Sequence, residues 1–164
     1  MKTQDFSSQS ISGGTKILTS QFKDITIAEI FKSNQKVNIL TLNEKGDFEM
    51  QPALACHTGW AKMIELRVGK SEDLLFSIKT KLLTENKEWK ACSLIDPIEN
   101  LTAIHQMNPH FEEEELFQYL GCQQTNRTEF LPAYNLKMEK NHNFFIIVES
   151  NYNERTAIAA RSIF

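Results

Sequence analysis

The chain has 164 residues, 41% of them hydrophobic, which suits one compact core and leaves little room for a second domain. Its net charge of −3 is small and mixed, which argues against a nucleic-acid or membrane partner, and its longest apolar runs, such as Phe144 to Val148, fall far short of the roughly 20 residues that span a bilayer. Met1 to Phe6 lacks the apolar core of a signal peptide and three scattered cysteines suit a reducing compartment, so an intracellular, cytoplasmic chain is expected.

Residues 1–9 are polar and read as an unstructured leader. Thr15 to Thr19 carries a short strand signal, and Ile25, Ile27, Ile30 and Phe31 give one or two helical turns. Val37 to Leu42, a turn over Asn43 to Asp47 and Phe48 to Met50 read as a hairpin with Gly46 in its turn. Further strands are predicted over 63–68, 74–80, 82–84, 89–92, 133–138 and 143–148. Between about 96 and 129 the spacing becomes helical: Ile98, Leu101 and Ile104, then Phe111, Leu116, Phe117 and Leu120. Pro109 would open the second helix and Gly121 close it, with Glu112 to Glu115 in its first turn as the macrodipole favours. The expectation is a mainly β domain with a small helical insertion. Asn100-Leu101-Thr102 and Asn126-Arg127-Thr128 match the glycosylation pattern by chance, given no secretory signal.

Three segments, taken together, resemble a known family. Ser10-Ile11-Ser12-Gly13-Gly14-Thr15-Lys16-Ile17 resembles the opening of inteins, in which a Cys or Ser nucleophile precedes a small-residue turn and a "T-K-I" strand. Leu83 to Ala91 resembles the family's "F-L-T-x-x-G-W-x-x-A" segment, and Ala133 to Phe145 resembles the "V-Y-D-L-x-V-x-x-x-H-N-F-F" strand near intein C-termini. The resemblance implies a Hint fold, a disc or horseshoe of short strands whose two ends meet in one centre. It runs from Ser10 to about Asn151, with an insertion near 97–130, a leader at 1–9 and a trailing flank at 152–164.

It also implies self-processing without a required cofactor. Ser10 would attack the carbonyl of Gln9 to give an ester, and a terminal Asn would cyclise and cut the backbone after itself. The strand Ile146 to Ser150 favours Asn151 as that residue, and the distance from His142 favours Asn153. The substrate would be the chain's own flanking segments in a monomer, and some relatives lie between ubiquitin-like modules.

Four departures set this chain apart. Ser10 stands where Cys is commonest, and a hydroxyl is the poorer nucleophile near neutral pH. Ser77-Ile78-Lys79-Thr80 aligns with a T-x-x-H motif, so Thr80 replaces an imidazole. Asn135 replaces an Asp, and the His before the terminal Asn is missing. No Cys, Ser or Thr follows Asn151 or Asn153, as in bacterial intein-like domains, where the ester is hydrolysed or taken by an amine.

Each residue also has a plain alternative. Ser10 is otherwise a loop serine, Ser77 and Thr80 strand hydroxyls, His142 a turn histidine and Asn151, beside Ser150, a surface residue. Cys92 reads as a small buried hydrophobe. Zinc inhibits some inteins reversibly, and Cys56, His57 or Cys122 are the candidate ligands, although no spacing matches a structural zinc site. The alternative to slow self-processing is a degenerate, non-catalytic Hint scaffold that serves as a linker or metal-responsive binding module.

Overall fold

The structure, a computed structural model, describes residues 9–21, 23–69, 71, 74–107, 118–150 and 154–162. Its strands are β1 (Ile11–Ser12), β2 (Val37–Leu42), β3 (Phe48–Val68), β4 (Leu74–Ser77), β5 (Lys81–Leu83), β6 (Trp89–Ala91), β7 (Asn100–Met107), β8 (Gln118–Lys137), β9 (Asn143–Ser150) and β10 (Glu154–Arg161). One helix, α1 (Ile27–Ser33), is set by sequence at both ends. Thr26 and Glu29 form a reciprocal capping box, Asn34 ends it in the left-handed conformation, and Ile27 and Ile30 face the core. Among the described residues no helix is long and apolar enough to cross a membrane.

Two long strands make the frame. β3 and β8 pair antiparallel from Leu54 opposite Lys137 to Val68 opposite Cys122, with register shifts at His57/Gly59 and Ile64/Leu66. Such bulges bend a ribbon, and Gly59, at φ 113°, supplies the backbone freedom the first one needs. β4 pairs with β3, β1 pairs with both β4 and β8, and β8 returns to β3, so these four strands close a ring. β1 is thereby gripped on both edges, Ile11 lying opposite Phe76 on one side and Tyr134 on the other. The main core runs through Ile11, Ile17, Ile64, Phe76, Leu136, Phe144 and Ile158.

Several expectations need correction. The stretch near 97–130 is not a helical insertion where it is described: it forms β7 and most of β8, paired from Asn100 opposite Gly121 to Ala103 opposite Gln118. The helical spacing of Ile98, Leu101 and Ile104 is accidental. Ile98 is 88% exposed, whereas Leu101, Thr102, Ala103 and Ile104 are buried in succession, as in a strand covered on both faces. Gly121 lies within β8 and ends no helix. Pro109, Phe111, Glu112 to Glu115, Leu116 and Phe117 lie outside the described residues.

The trailing flank at 152–164 is also corrected. Within it β10 pairs with β5, β7 and β9, and Arg155 to Ala160 are all buried. Thr15 to Thr19 makes isolated bridges to Thr26, Ile146 and Ile39. β3 runs unbroken through 51–62, which the hydrophobic pattern left as a gap.

Candidate active centre

Ser10 sits at the start of β1, fully buried, where the turn between β4 and β5 meets β8. Its backbone N–H donates to Ser77 Oγ at 3.2 Å and to Thr80 Oγ1 at 3.0 Å. Thr80 Oγ1 donates to the Ser10 carbonyl at 2.8 Å, and the Ser77 N–H reaches the same carbonyl at 3.0 Å. The two hydroxyl oxygens are 2.8 Å apart. A hydroxyl has one proton, and that of Thr80 is committed to the carbonyl, so Ser77 is the donor between them. Both hydroxyls therefore accept the Ser10 N–H, and neither has a proton left for that nitrogen.

On the other side of the same peptide bond, Asn135 Nδ2 donates to the Gln9 carbonyl at 2.5 Å. The Leu136 N–H donates to Asn135 Oδ1 at 2.7 Å, which fixes the amide with its NH2 toward Gln9. A neutral donor on a carbonyl is the geometry that stabilises an oxyanion as it forms. Ser10 Oγ is buried with no hydrogen-bond partner among the described residues, so nothing described holds it back from the carbonyl next to it.

A further residue supports this arrangement. Cys92, read from sequence as a buried hydrophobe, donates through Sγ to the Ser77 carbonyl at 3.0 Å and through its N–H to the Thr80 carbonyl at 2.8 Å. It props both ends of the Ser77–Thr80 turn from behind. Nothing in its sequence context signals this, because the 3₁₀ turn Cys92–Leu94 that carries it follows β6. Burial pushes its thiol up to about 12, with the nearby Cys122 thiol adding to the shift, so it acts as a neutral donor.

His142 stands apart from this cluster. It is exposed, at φ 49°, and its carbonyl accepts the Ser162 N–H at 2.9 Å. Its backbone meets the end of β10, and no hydrogen bond joins its ring to Ser10, Ser77, Thr80 or Asn135. Asn151 and Asn153 lie outside the described residues. Ser150 donates to Asp24 Oδ1 at 3.2 Å and pairs with Arg155 at the far end of the β9–β10 hairpin. The other end of β10 approaches the centre: Ala160 lies opposite Leu82, two residues along the chain from Thr80, and Ser162 is buried. From Arg155 to Ser162 is about 20 Å of strand.

The candidate zinc ligands do not converge. Cys56 is half-buried and donates to the Asn135 carbonyl at 3.3 Å, and burial raises its thiol above the ordinary value. His57, next along the strand and so on the opposite face, contacts the Ala133 carbonyl through Nδ1 at 2.9 Å and the Tyr134 ring at 5.0 Å. Cys122 lies opposite Val68, twelve residues further along β3. No three His, Cys, Asp or Glu side chains form a metal-binding group among the described residues, so these residues do not fit a zinc site.

No protein-family model and no curated protein matches the sequence. Solved structures do match. A DnaB intein from Synechocystis sp. PCC 6803 superposes with a TM-score of 0.72 over 94% of this chain and 99% of its own, at 16% identity. The DnaX mini-intein from Spirulina platensis gives 0.65 over 92% and 98%, at 15% identity. A bacterial intein-like domain from Clostridium thermocellum gives 0.56 over 92% and 98%, at 13% identity. The fold is therefore the Hint fold expected from the three motifs.

Proposed function

We propose that the chain is a self-processing domain of the intein type whose first step, at the Gln9–Ser10 bond, runs slowly. The observation that carries this reading is the Asn135 amide donating to the Gln9 carbonyl while the buried Ser10 hydroxyl stands unpaired beside it. Ser10 Oγ attacks the Gln9 carbonyl carbon, the carbon–nitrogen bond breaks, and the hydroxyl proton ends on the Ser10 nitrogen. The product is an ester with a free α-amine. Water then releases a Gln9 carboxylate, or an amine takes the acyl group. The substrate is the chain's own flanking segment.

Proton delivery is the weak step. Every group that touches Ser10 N–H or the Gln9 carbonyl among the described residues is a hydroxyl or an amide, none of which titrates near neutral pH. Asn151 and Asn153, the candidates for the second, cyclising step, lie outside the described residues. The alternative is a silent Hint scaffold.

Intact mass spectrometry over days, with and without hydroxylamine, separates the two. Ser10→Cys should lose residues 1–9 faster in hydroxylamine than in buffer, and the serine form should do so much more slowly. An unchanged mass in both forms would leave only the scaffold.

A further inference from the structure

Two large apolar side chains stand exposed beside the Gln9–Ser10 bond. Ile78, 42% exposed, is a corner residue of the Ser77–Thr80 turn, which the Thr80 N–H closes on the Ser77 carbonyl at 3.0 Å. Turn corners ordinarily take Gly, Pro, Asn, Asp or Ser, so a β-branched apolar residue there is not the turn's own choice. Leu94, 67% exposed, ends the 3₁₀ turn behind it. Ser93, next to Leu94, donates to the Ile78 carbonyl through Oγ at 2.9 Å and through its N–H at 3.4 Å. That pair of bonds ties the two turns together and makes their exposed corners neighbours.

The backbone fixes what passes over these corners. β1 and β4 are antiparallel with Ile11 opposite Phe76, and the Ser77 N–H donates to the Ser10 carbonyl. Followed backwards from Ser10, the chain therefore leaves β4 across the Ser77–Thr80 turn. Gln9, the first residue on that path, is half-buried, and its side-chain Oε1 is fully buried without a donor among the described residues. The wall beside the exit thus offers no hydrogen bond to a polar side chain, which is the property of an apolar subsite. Of residues 1–8 only Met1 and Phe6 are apolar, and Phe6 is three residues from Gln9, within about 10 Å along an extended chain. Phe6 itself lies outside the described residues.

We infer that Ile78 and Leu94 form a docking shelf for the segment just upstream of the Gln9–Ser10 bond, and that Phe6 occupies it. The purpose of the contact rests on the self-processing reading. A grip on the upstream segment, away from the reacting atoms, holds the Gln9 carbonyl against Ser10 and Asn135. The shelf therefore selects an upstream segment with an apolar side chain at that distance and discriminates against a polar one.

Chymotrypsin digestion of the full serine-bearing chain, followed by intact mass, reads the contact without any self-cleavage. Cutting after Phe6 should be slow, and Leu94→Ser should speed it several-fold while the thermal midpoint holds. Phe130→Ser, which removes an exposed aromatic elsewhere on β8, should leave the rate unchanged. Equally fast cutting in the native chain and in Leu94→Ser overturns the inference. In the Ser10→Cys chain, Phe6→Ser should slow the loss of residues 1–9 in hydroxylamine several-fold, with little further loss when Leu94→Ser is added. A protected Phe6 in a chain whose Ser10→Cys form never cleaves would keep the shelf and sink the self-processing reading. Cleavage of the Ser10→Cys form with Phe6 freely digested would sink the shelf alone.

Discussion

Asn135 takes a place where the resemblance expects Asp, and the two side chains cannot do the same work. An ionised carboxylate accepts the Leu136 N–H but has no proton for the Gln9 carbonyl, whereas the amide serves both. Asn135→Ala should cost about 1–3 kcal/mol in urea denaturation, because a buried N–H and a half-buried carbonyl lose their partners. In the Ser10→Cys background it should also slow hydroxylamine cleavage by roughly 10²–10³-fold, the usual loss for one oxyanion donor. Cleavage at an unaltered rate would reduce Asn135 to a structural role. The three thiols differ in the same residue-level way. Cys92 is pushed up to about 12 and Cys122 to about 11, in both cases mainly by burial, while Cys56 is partly accessible. Labelling of the folded chain at neutral pH with a disulfide reagent should modify Cys56 alone, slowly, and urea should expose the other two. Rapid loss of all three thiols without denaturant would mean that the turn behind Ser10 opens readily.

At the level of elements, β10 matters most, and it was the element least legible in the sequence. Its run Thr156-Ala157-Ile158-Ala159-Ala160 is buried throughout, flanked by β7 and β5 on one edge and β9 on the other, so it shows no in-out alternation. Alanine is a weak strand former, and only the tertiary partners make this segment extended. A chain ending at residue 153 should therefore fail to fold, with far-UV circular dichroism lacking the strand signal and no cooperative unfolding. A folded, cooperative truncation would restore the view of 152–164 as a flank. The same cause explains the misread 97–107 stretch, where continuous burial in β7 imitates helical spacing. By contrast, β2, β4, β9 and α1 were legible because their signals are local: apolar runs bounded by turn residues, or the Thr26–Glu29 box. At the centre, Ser10, Ser77, Thr80 and Asn135 meet as the motifs imply. Cys92 and the Arg161 end of β10 had no motif to announce them.

Across the whole molecule, the two buried thiols link the centre's geometry to pH. Their folded-state values lie above the ordinary 9.0, so as pH rises the unfolded chain releases these protons first. The stabilisation is complete below about pH 9 and is lost as pH climbs toward 11 for Cys122 and 12 for Cys92. Its total is on the order of a few kcal/mol. Lysines and tyrosines titrate in the same window, so the useful comparison is between variants. Urea midpoints measured from pH 7 to 10.5 should fall more steeply for the native chain than for Cys92→Ala paired with Cys122→Ala. The double variant should be less stable at pH 7, from the cavities it leaves, yet flatter in its pH profile. Because the Cys92 thiol donates to Ser77, its ionisation also withdraws a support from the turn that holds Ser10. Parallel profiles in the two proteins would show that these thiols do not carry the alkaline transition, and that the Ser77–Thr80 turn keeps its shape without them.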